Sequence, residues 1–223
     1  MTKKSLHTNT CPLCNKTYER EVEDVLGEDS LEFVMSWEVF KQTCPHCKED
    51  FLYKHPVIYT DNTKKFVVCY APEITDFLYM LDEVAKEQLS DNGYIYRVVP
   101  AGHMRFIEKV GVLTVGLDDV VAEVYKEITY INLDNENIDN MLYEFNDTCT
   151  GFGLSAIHKD DHVDYYDVDF NTMESLYEDV KDRGVIGRFN DYVVNRKLAV
   201  KILYSEDDLT PLHIDMLKEL NEE

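Results

Sequence analysis

No stretch of this chain approaches the roughly 18 consecutive apolar residues that a membrane-spanning helix needs. Met1 to Thr10 holds Lys3 and Lys4 with no apolar run behind them, so no signal peptide is expected there. Glycine is scarce, 9 residues in 223, and none forms a phosphate-binding loop. There is no G-x-S-x-G elbow and no H-E-x-x-H pair. Basic residues are also few: 22 Lys and Arg stand against 44 Asp and Glu, a net charge of −22. Nucleic-acid affinity comes largely from Lys and Arg that neutralise phosphates, so nucleic-acid binding is not expected. Together these absences move the expectation from enzyme to binding module, with no catalytic residue assigned.

The residues present argue for a folded protein. The chain is 44% hydrophobic and 12% aromatic, enough for a sizeable core. The acidity is uneven. Residues 1–71 hold 9 Lys/Arg against 11 Asp/Glu, a balance of −2. Residues 72–223 hold 13 against 33, a balance of −20. Such a surface keeps a protein soluble, and it also attracts a basic protein partner. Six cysteines without an export signal point to a reducing compartment, the cytoplasm.

Four of the six cysteines come in matched turns, Cys11-Pro12-Leu13-Cys14 and Cys44-Pro45-His46-Cys47. Each turn places two sulfurs on one side of an ion, and two turns brought together supply the four soft ligands of a structural zinc site. The proline after the first cysteine fixes its own φ and removes an amide donor, which favours a tight turn. The 29 residues from Asn15 to Thr43 leave room for a strand, a short helix and a return strand. The metal ligands are therefore expected to be Cys11, Cys14, Cys44 and Cys47. Thiol redox chemistry fits less well, because it asks for one such motif beside a βαβ pattern. His46 reads as a spacer, since four thiolates already saturate the ion. Cys69, within Phe66–Tyr70, reads as a buried strand thiol. Cys149 reads as a loop thiol with no basic neighbour to activate it.

These turns, with Pro56-Val57-Ile58-Tyr59-Thr60-Asp61, Lys64-Lys65-Phe66, Tyr96-Arg97-Val98-Val99, Glu108-Lys109 and Gly116-Leu117-Asp118-Asp119, resemble the CpXC domain family over about the first 130 residues. The resemblance implies a metal-binding module and no particular activity. Zinc knuckles often carry glycine after the second cysteine, where φ is positive. Here Asn15 tolerates that conformation and Lys48 does so less well, so the second knuckle is expected to be less regular than the first.

Along the chain, Lys16 to Val25 reads as a strand. Asp29 and Glu32 form a capping box for a short helix from Leu31 to Ser36. Trp37, Val39 and Phe40 read as a return strand, with Trp37 in the core. Phe51, Tyr53, His55, Val57 and Tyr59 alternate as one strand, with Pro56 suggesting an edge or a bulge, and Asp61 to Lys64 turn it back to Phe66–Tyr70. Glu73 to Leu89 is an amphipathic helix. Tyr94 to Val99 is a strand, and helices follow near Met104–Val110 and from Gly116 to Tyr130, with Asp118 and Asp119 in a first turn that favours carboxylates. Asp134-Asn135-Glu136-Asn137 is the expected boundary, which gives a zinc-binding domain over 1–133 and an acidic part over 134–223. Strands are expected at Met141–Phe145, Gly153–His158 and Val163–Phe170. Asn171 and Glu174 suggest a second capping box, for a helix closed by Gly184. Ala199–Tyr204 reads as strand and Pro211–Glu223 as a short helix. No internal repeat is expected.

The fold class read from this is α+β: an N-terminal zinc-ribbon-like β module, then helices and an acidic α+β C-terminal part. The function expected is a zinc-stabilised acidic adaptor or interaction protein with a basic protein partner. Two alternatives stay open. One is an enzyme with a site in the Asp160–Asp169 region, where His158, Asp160, Asp161, His162, Asp164, Asp167 and Asp169 crowd together. The other is an acidic mimic of nucleic acid that binds a basic protein.

Overall fold

A computed structural model describes residues 3–73, 93–133, 137–182 and 193–203. The chain divides into two compact units, Met1–Thr114 with Phe145–Gly151, and Val115–Glu144 with Phe152–Glu223. The fold is mixed α+β, with a four-cysteine cluster beside the N-terminal sheet.

The first unit is built on a five-stranded sheet of order β1-β2-β5-β6-β7. β1 (Lys3–Thr10) and β2 (Thr17–Gly27) form a long antiparallel hairpin, paired from Lys3↔Val25 to Thr10↔Thr17. A turn at Glu28–Ser30 and a short helix α1 (Leu31–Met35) follow. β3 (Lys41–Thr43) and β4 (Asp50–Leu52) make a separate two-stranded hairpin. β5 (Val57–Asp61) and β6 (Phe66–Tyr70) are antiparallel, while β2–β5 and β6–β7 (Ile95–Val99) are parallel pairs. α2 (His103–Thr114) packs against β6.

β6 is buried along its whole length, which is why it reads as the unbroken apolar run Phe66-Val67-Val68-Cys69-Tyr70. Phe40 is the hub of this core. Its ring meets Tyr70, Phe106, His55 and His103 edge-on at 5.4 to 5.9 Å between centroids. The segment 145–151 packs on the same core through Phe145 and Cys149. A Cβ at Gly111 of α2 would come within 2.4 Å of the Phe145 ring, so glycine is what allows that approach.

The second unit holds α3 (Asp119–Leu133), a three-stranded sheet of order β10-β9-β8, α4 (Phe170–Asp182) and α5 (Arg196–Leu203). The strands are β8 (Ile138–Phe145), β9 (Phe152–His158) and β10 (Val163–Tyr166). Its helices bury Val120, Val121, Val124, Val180, Leu198 and Ile202 together. Asp118, expected in the first turn, lies before α3 and caps it instead, its Oδ1 accepting from Val120 N at 2.9 Å and Val121 N at 3.1 Å, while Asp119 is in the first turn as expected.

Several local expectations change. Lys3–Thr10, which carries no apolar pattern, is a strand because β2 supplies its hydrogen-bond partners. Asp29 lies in the turn before α1, and no side chain caps that helix. The alternating run from Phe51 to Tyr59 is two strands: β4 ends at Leu52 and β5 begins after Pro56. β5 lies between β2 and β6, so Pro56 marks neither an edge nor a bulge. α4 is capped by Asp169, not Asn171. Its carboxylate accepts from Asn171 N at 3.0 Å and Thr172 Oγ1 at 2.6 Å. Ala199–Leu203 belongs to helix α5 and is not a strand. The helix read over Glu73–Leu89 falls, but for Glu73, outside the described residues. So do the residues at 134–136 of the expected boundary, Gly184, Tyr204 and the helix read over Pro211–Glu223.

Candidate metal centre

The two cysteine turns sit at the tips of the β1–β2 and β3–β4 hairpins, and they fold alike. Cys11 N donates to Lys16 O at 3.0 Å and Asn15 N to Cys11 O at 2.9 Å. Cys44 N donates to Glu49 O at 2.9 Å and Lys48 N to Cys44 O at 3.0 Å. Leu13 N and His46 N each point at the first sulfur of their own turn, both at 3.4 Å. Asn15 has φ 56° and Lys48 φ 66°. The second knuckle is therefore as regular as the first. The turn imposes the left-handed conformation on lysine, and its paired hydrogen bonds outweigh the modest steric cost. The likeness reaches back into the strands: Asn9-Thr10-Cys11-Pro12 and Gln42-Thr43-Cys44-Pro45 are a short repeat, visible in the sequence once the turns are aligned, where none was expected.

Folding brings all four sulfurs within 4.8 Å of one another. Cys11 Sγ lies 3.8 Å from Cys47 Sγ, and Cys14 Sγ lies 3.7 Å from Cys44 Sγ. These distances are far too long for a disulfide. They match the edge, about 3.8 Å, of a tetrahedron whose corners lie about 2.3 Å from a central ion. Cys11 and Cys44 are buried, while Cys14 and Cys47 are partly exposed.

The thiols disagree about ionising. Burial raises Cys44, but amide hydrogen bonds from Cys47 and His46 and the sulfurs of Cys47 and Cys11 outweigh it and draw it down to about 6. Cys47 is pushed up to about 12: the Glu49 amide lowers it, yet burial and the other three sulfurs raise it further. Cys14 is also raised, because burial and the sulfurs of Cys11 and Cys44 outweigh the Lys16 amide. Four converging sulfurs cannot all carry charge without a cation among them, and the donor set therefore fits a metal ion that accepts thiolates.

None of the other candidates adds a ligand to this cluster. His46 is edge-on to Tyr18 at 6.3 Å between ring centroids. His55 is buried in the core beside Phe40. Trp37, at φ 68°, is half-buried against the core and edge-on to His103 at 5.4 Å. Cys69 is buried, and burial pushes its thiol up to about 12. Cys149 is pushed up to about 11 by burial, which exceeds the lowering by Lys64, a basic neighbour that sequence order does not reveal.

In the acidic stretch, the strand expected over Val163–Phe170 ends at Tyr166, and Asp169 is the α4 cap. His158 and His162 do meet, although they lie on no helix, because the β9–β10 turn folds one onto the other. His158 Nε2 bonds one oxygen of Asp164 at 3.0 Å and His162 Nε2 the other at 3.1 Å. Each imidazole satisfies its own oxygen, so the three groups do not converge on a point as the sulfurs do. Ser5, His7 and Asp24 also meet on the β1–β2 hairpin. There a single ring nitrogen, His7 Nε2, faces both Ser5 Oγ (2.7 Å) and Asp24 (3.1 Å), whereas a nucleophile relay divides those contacts between two nitrogens.

Comparison with known proteins adds one match. A family profile described as CpXC protein covers residues 9–126, from just before the first knuckle into α3. No curated protein and no solved structure matches the chain. Among the described residues, no helix is long and apolar enough to cross a membrane.

Proposed function

This chain belongs to the CpXC family, and from that premise we propose that it is a zinc-stabilised interaction module. Cys11, Cys14, Cys44 and Cys47 hold one Zn2+ that joins the β1–β2 and β3–β4 hairpins, and the acidic body is offered to a basic protein. The observation that carries the metal half is the sulfur spacing of 3.7–3.8 Å, the edge length of a zinc tetrathiolate. Four protein thiolates saturate zinc and leave no open position for substrate, which makes its role structural. When bound, the ion supplies the positive charge that four ionised sulfurs require. The interaction half rests on charge. The 44 acidic residues against 22 basic ones attract a cationic partner and disfavour phosphate backbones. A cytoplasmic location keeps the thiols reduced.

Two measurements test this. Metal analysis of the purified chain is expected to find one zinc, lost in Cys44→Ser. Affinity capture at low salt, repeated at rising salt, is expected to retain a basic protein in stoichiometric amount and to release it steeply as salt screens the attraction. A Cys44→Ser chain that stays cooperatively folded without metal would remove the first half, and a salt-insensitive complex the second.

A further inference from the structure

The cysteines account for the ligands but not for the distance between the hairpins that carry them. β3 and β4 form their own two-stranded sheet, and a lone two-stranded hairpin is marginal in water. The sulfur pairs at 3.8 and 3.7 Å, Cys11–Cys47 and Cys14–Cys44, both run from one hairpin to the other. The separation of the hairpins therefore sets the size of the tetrahedron.

A buried polar link crosses the same gap. Asn9 Nδ2 donates to Gln42 Oε1 at 2.7 Å, and Tyr18 Oη donates to that same oxygen at 3.1 Å. Asn9 is 1% exposed and Gln42 3%. Asn9 stands two residues before Cys11, Gln42 two before Cys44, and Tyr18 is the cross-strand neighbour of Asn9. One amide oxygen thus accepts from both strands of the first hairpin, at the matching step of the second. A buried amide is costly unless bonded, so the arrangement admits little slack. The Tyr18 ring also meets His46 of the second knuckle edge-on, a further tie across the gap.

We propose that Gln42, with Asn9 and Tyr18, is a positioning residue for the metal. The link favours the hairpin spacing that a tetrahedral ion needs, and so raises metal affinity without touching the metal. This rests on the zinc reading above.

The test uses the full chain, zinc competition against a chromophoric chelator, and the absorption spectrum of the cobalt-substituted protein. In Gln42→Leu the zinc affinity is expected to fall about 10–100-fold, the range for loss of an outer-shell partner. The sulfur-to-cobalt charge-transfer bands persist because four thiolates remain, while the d–d bands shift as the tetrahedron relaxes. If Gln42→Leu does not fold, Tyr18→Phe, which removes one hydroxyl and keeps the ring, is read in its place, with a smaller loss in the same direction. Unchanged affinity with an unchanged cobalt spectrum would overturn the proposal. So would a lower unfolding midpoint of the zinc-loaded chain with affinity and cobalt spectrum intact, the mark of a packing role alone. An unmodified chain that takes up no stoichiometric zinc or cobalt overturns the metal reading itself, and this is read before any variant is compared.

Discussion

His55 lies in the core of the first unit, stacked on Tyr53 at 5.4 Å and edge-on to Phe40 at 5.8 Å. It is 1% exposed, and its Nε2 has no close hydrogen-bond partner among the described residues. Burial holds its pKa below the ordinary 6.5, against smaller opposing pulls from the Tyr53 carbonyl and Asp24. Burial lowers His103 in the same way, and Lys54 adds to it. A histidine with a depressed folded pKa stays neutral while its unfolded counterpart takes a proton. Stability is then full above pH 6.5 and declines as pH falls below it. We expect denaturant unfolding of the first unit to weaken between about pH 7.5 and about pH 5.5, by at most about 1.4 kcal/mol per pH unit for each histidine. His55→Phe should flatten the slope, and an unchanged slope would exclude His55 as its source. The alternating pattern from Phe51 to Tyr59 put His55 on one face with Tyr53 and Val57, without saying which way that face points. That it would be buried against Phe40 depends on a contact only the fold makes.

At the scale of elements, α5 shows how a neighbour decides an ambiguous segment. The apolar run near Ala199 suits a short strand as well as a helix, since runs of this length carry no decisive period. In the fold, Leu198, Ala199 and Ile202 face Val120, Val121 and Val124 of α3, and that surface selects the helix. The contact is fixed by an ion pair whose carboxylate is buried and whose guanidinium is partly exposed. Arg196 Nε lies 2.6 Å and Nη2 3.3 Å from the two oxygens of Glu127, with the guanidinium 4.0 Å over the Tyr130 ring. The Glu127 side chain is 1% exposed. Arg196→Ala leaves that carboxylate buried without a counter-charge and is expected to destabilise the second unit by about 3–5 kcal/mol. Arg196→Lys keeps the charge but not the two-pronged geometry and should lose less. Chemical denaturation followed by helical circular dichroism reads both, and equal stability of the alanine variant would show that the pair contributes nothing net.

At the scale of the molecule, metal and acidity belong to different lengths of chain. All four candidate ligands lie in the first unit, within residues 11–47. Chelation is expected to abolish the cooperative transition of that unit, because metal binding energy is folding energy in small zinc modules. Trp37, the only tryptophan, reports on it. The helical signal of α3 to α5 should remain. Loss of both signals together would show that the units do not unfold independently. The sequence by itself determined what is local in chain or in charge: two C-P-x-C turns that each present two thiols, the Asp61–Lys64 turn, the helix that begins near Asp119, and a strongly acidic composition. The tertiary structure alone decided the parallel pairs β2–β5 and β6–β7, the recruitment of β1, the meeting of His158 with His162, and the bond from Asn9 to Gln42 across 33 residues. Turn geometry is set by neighbouring residues, whereas the spacing of the sulfurs depends on how the two hairpins meet. Strand partners and buried polar bonds depend on which apolar faces close on each other, and no short stretch of sequence contains that.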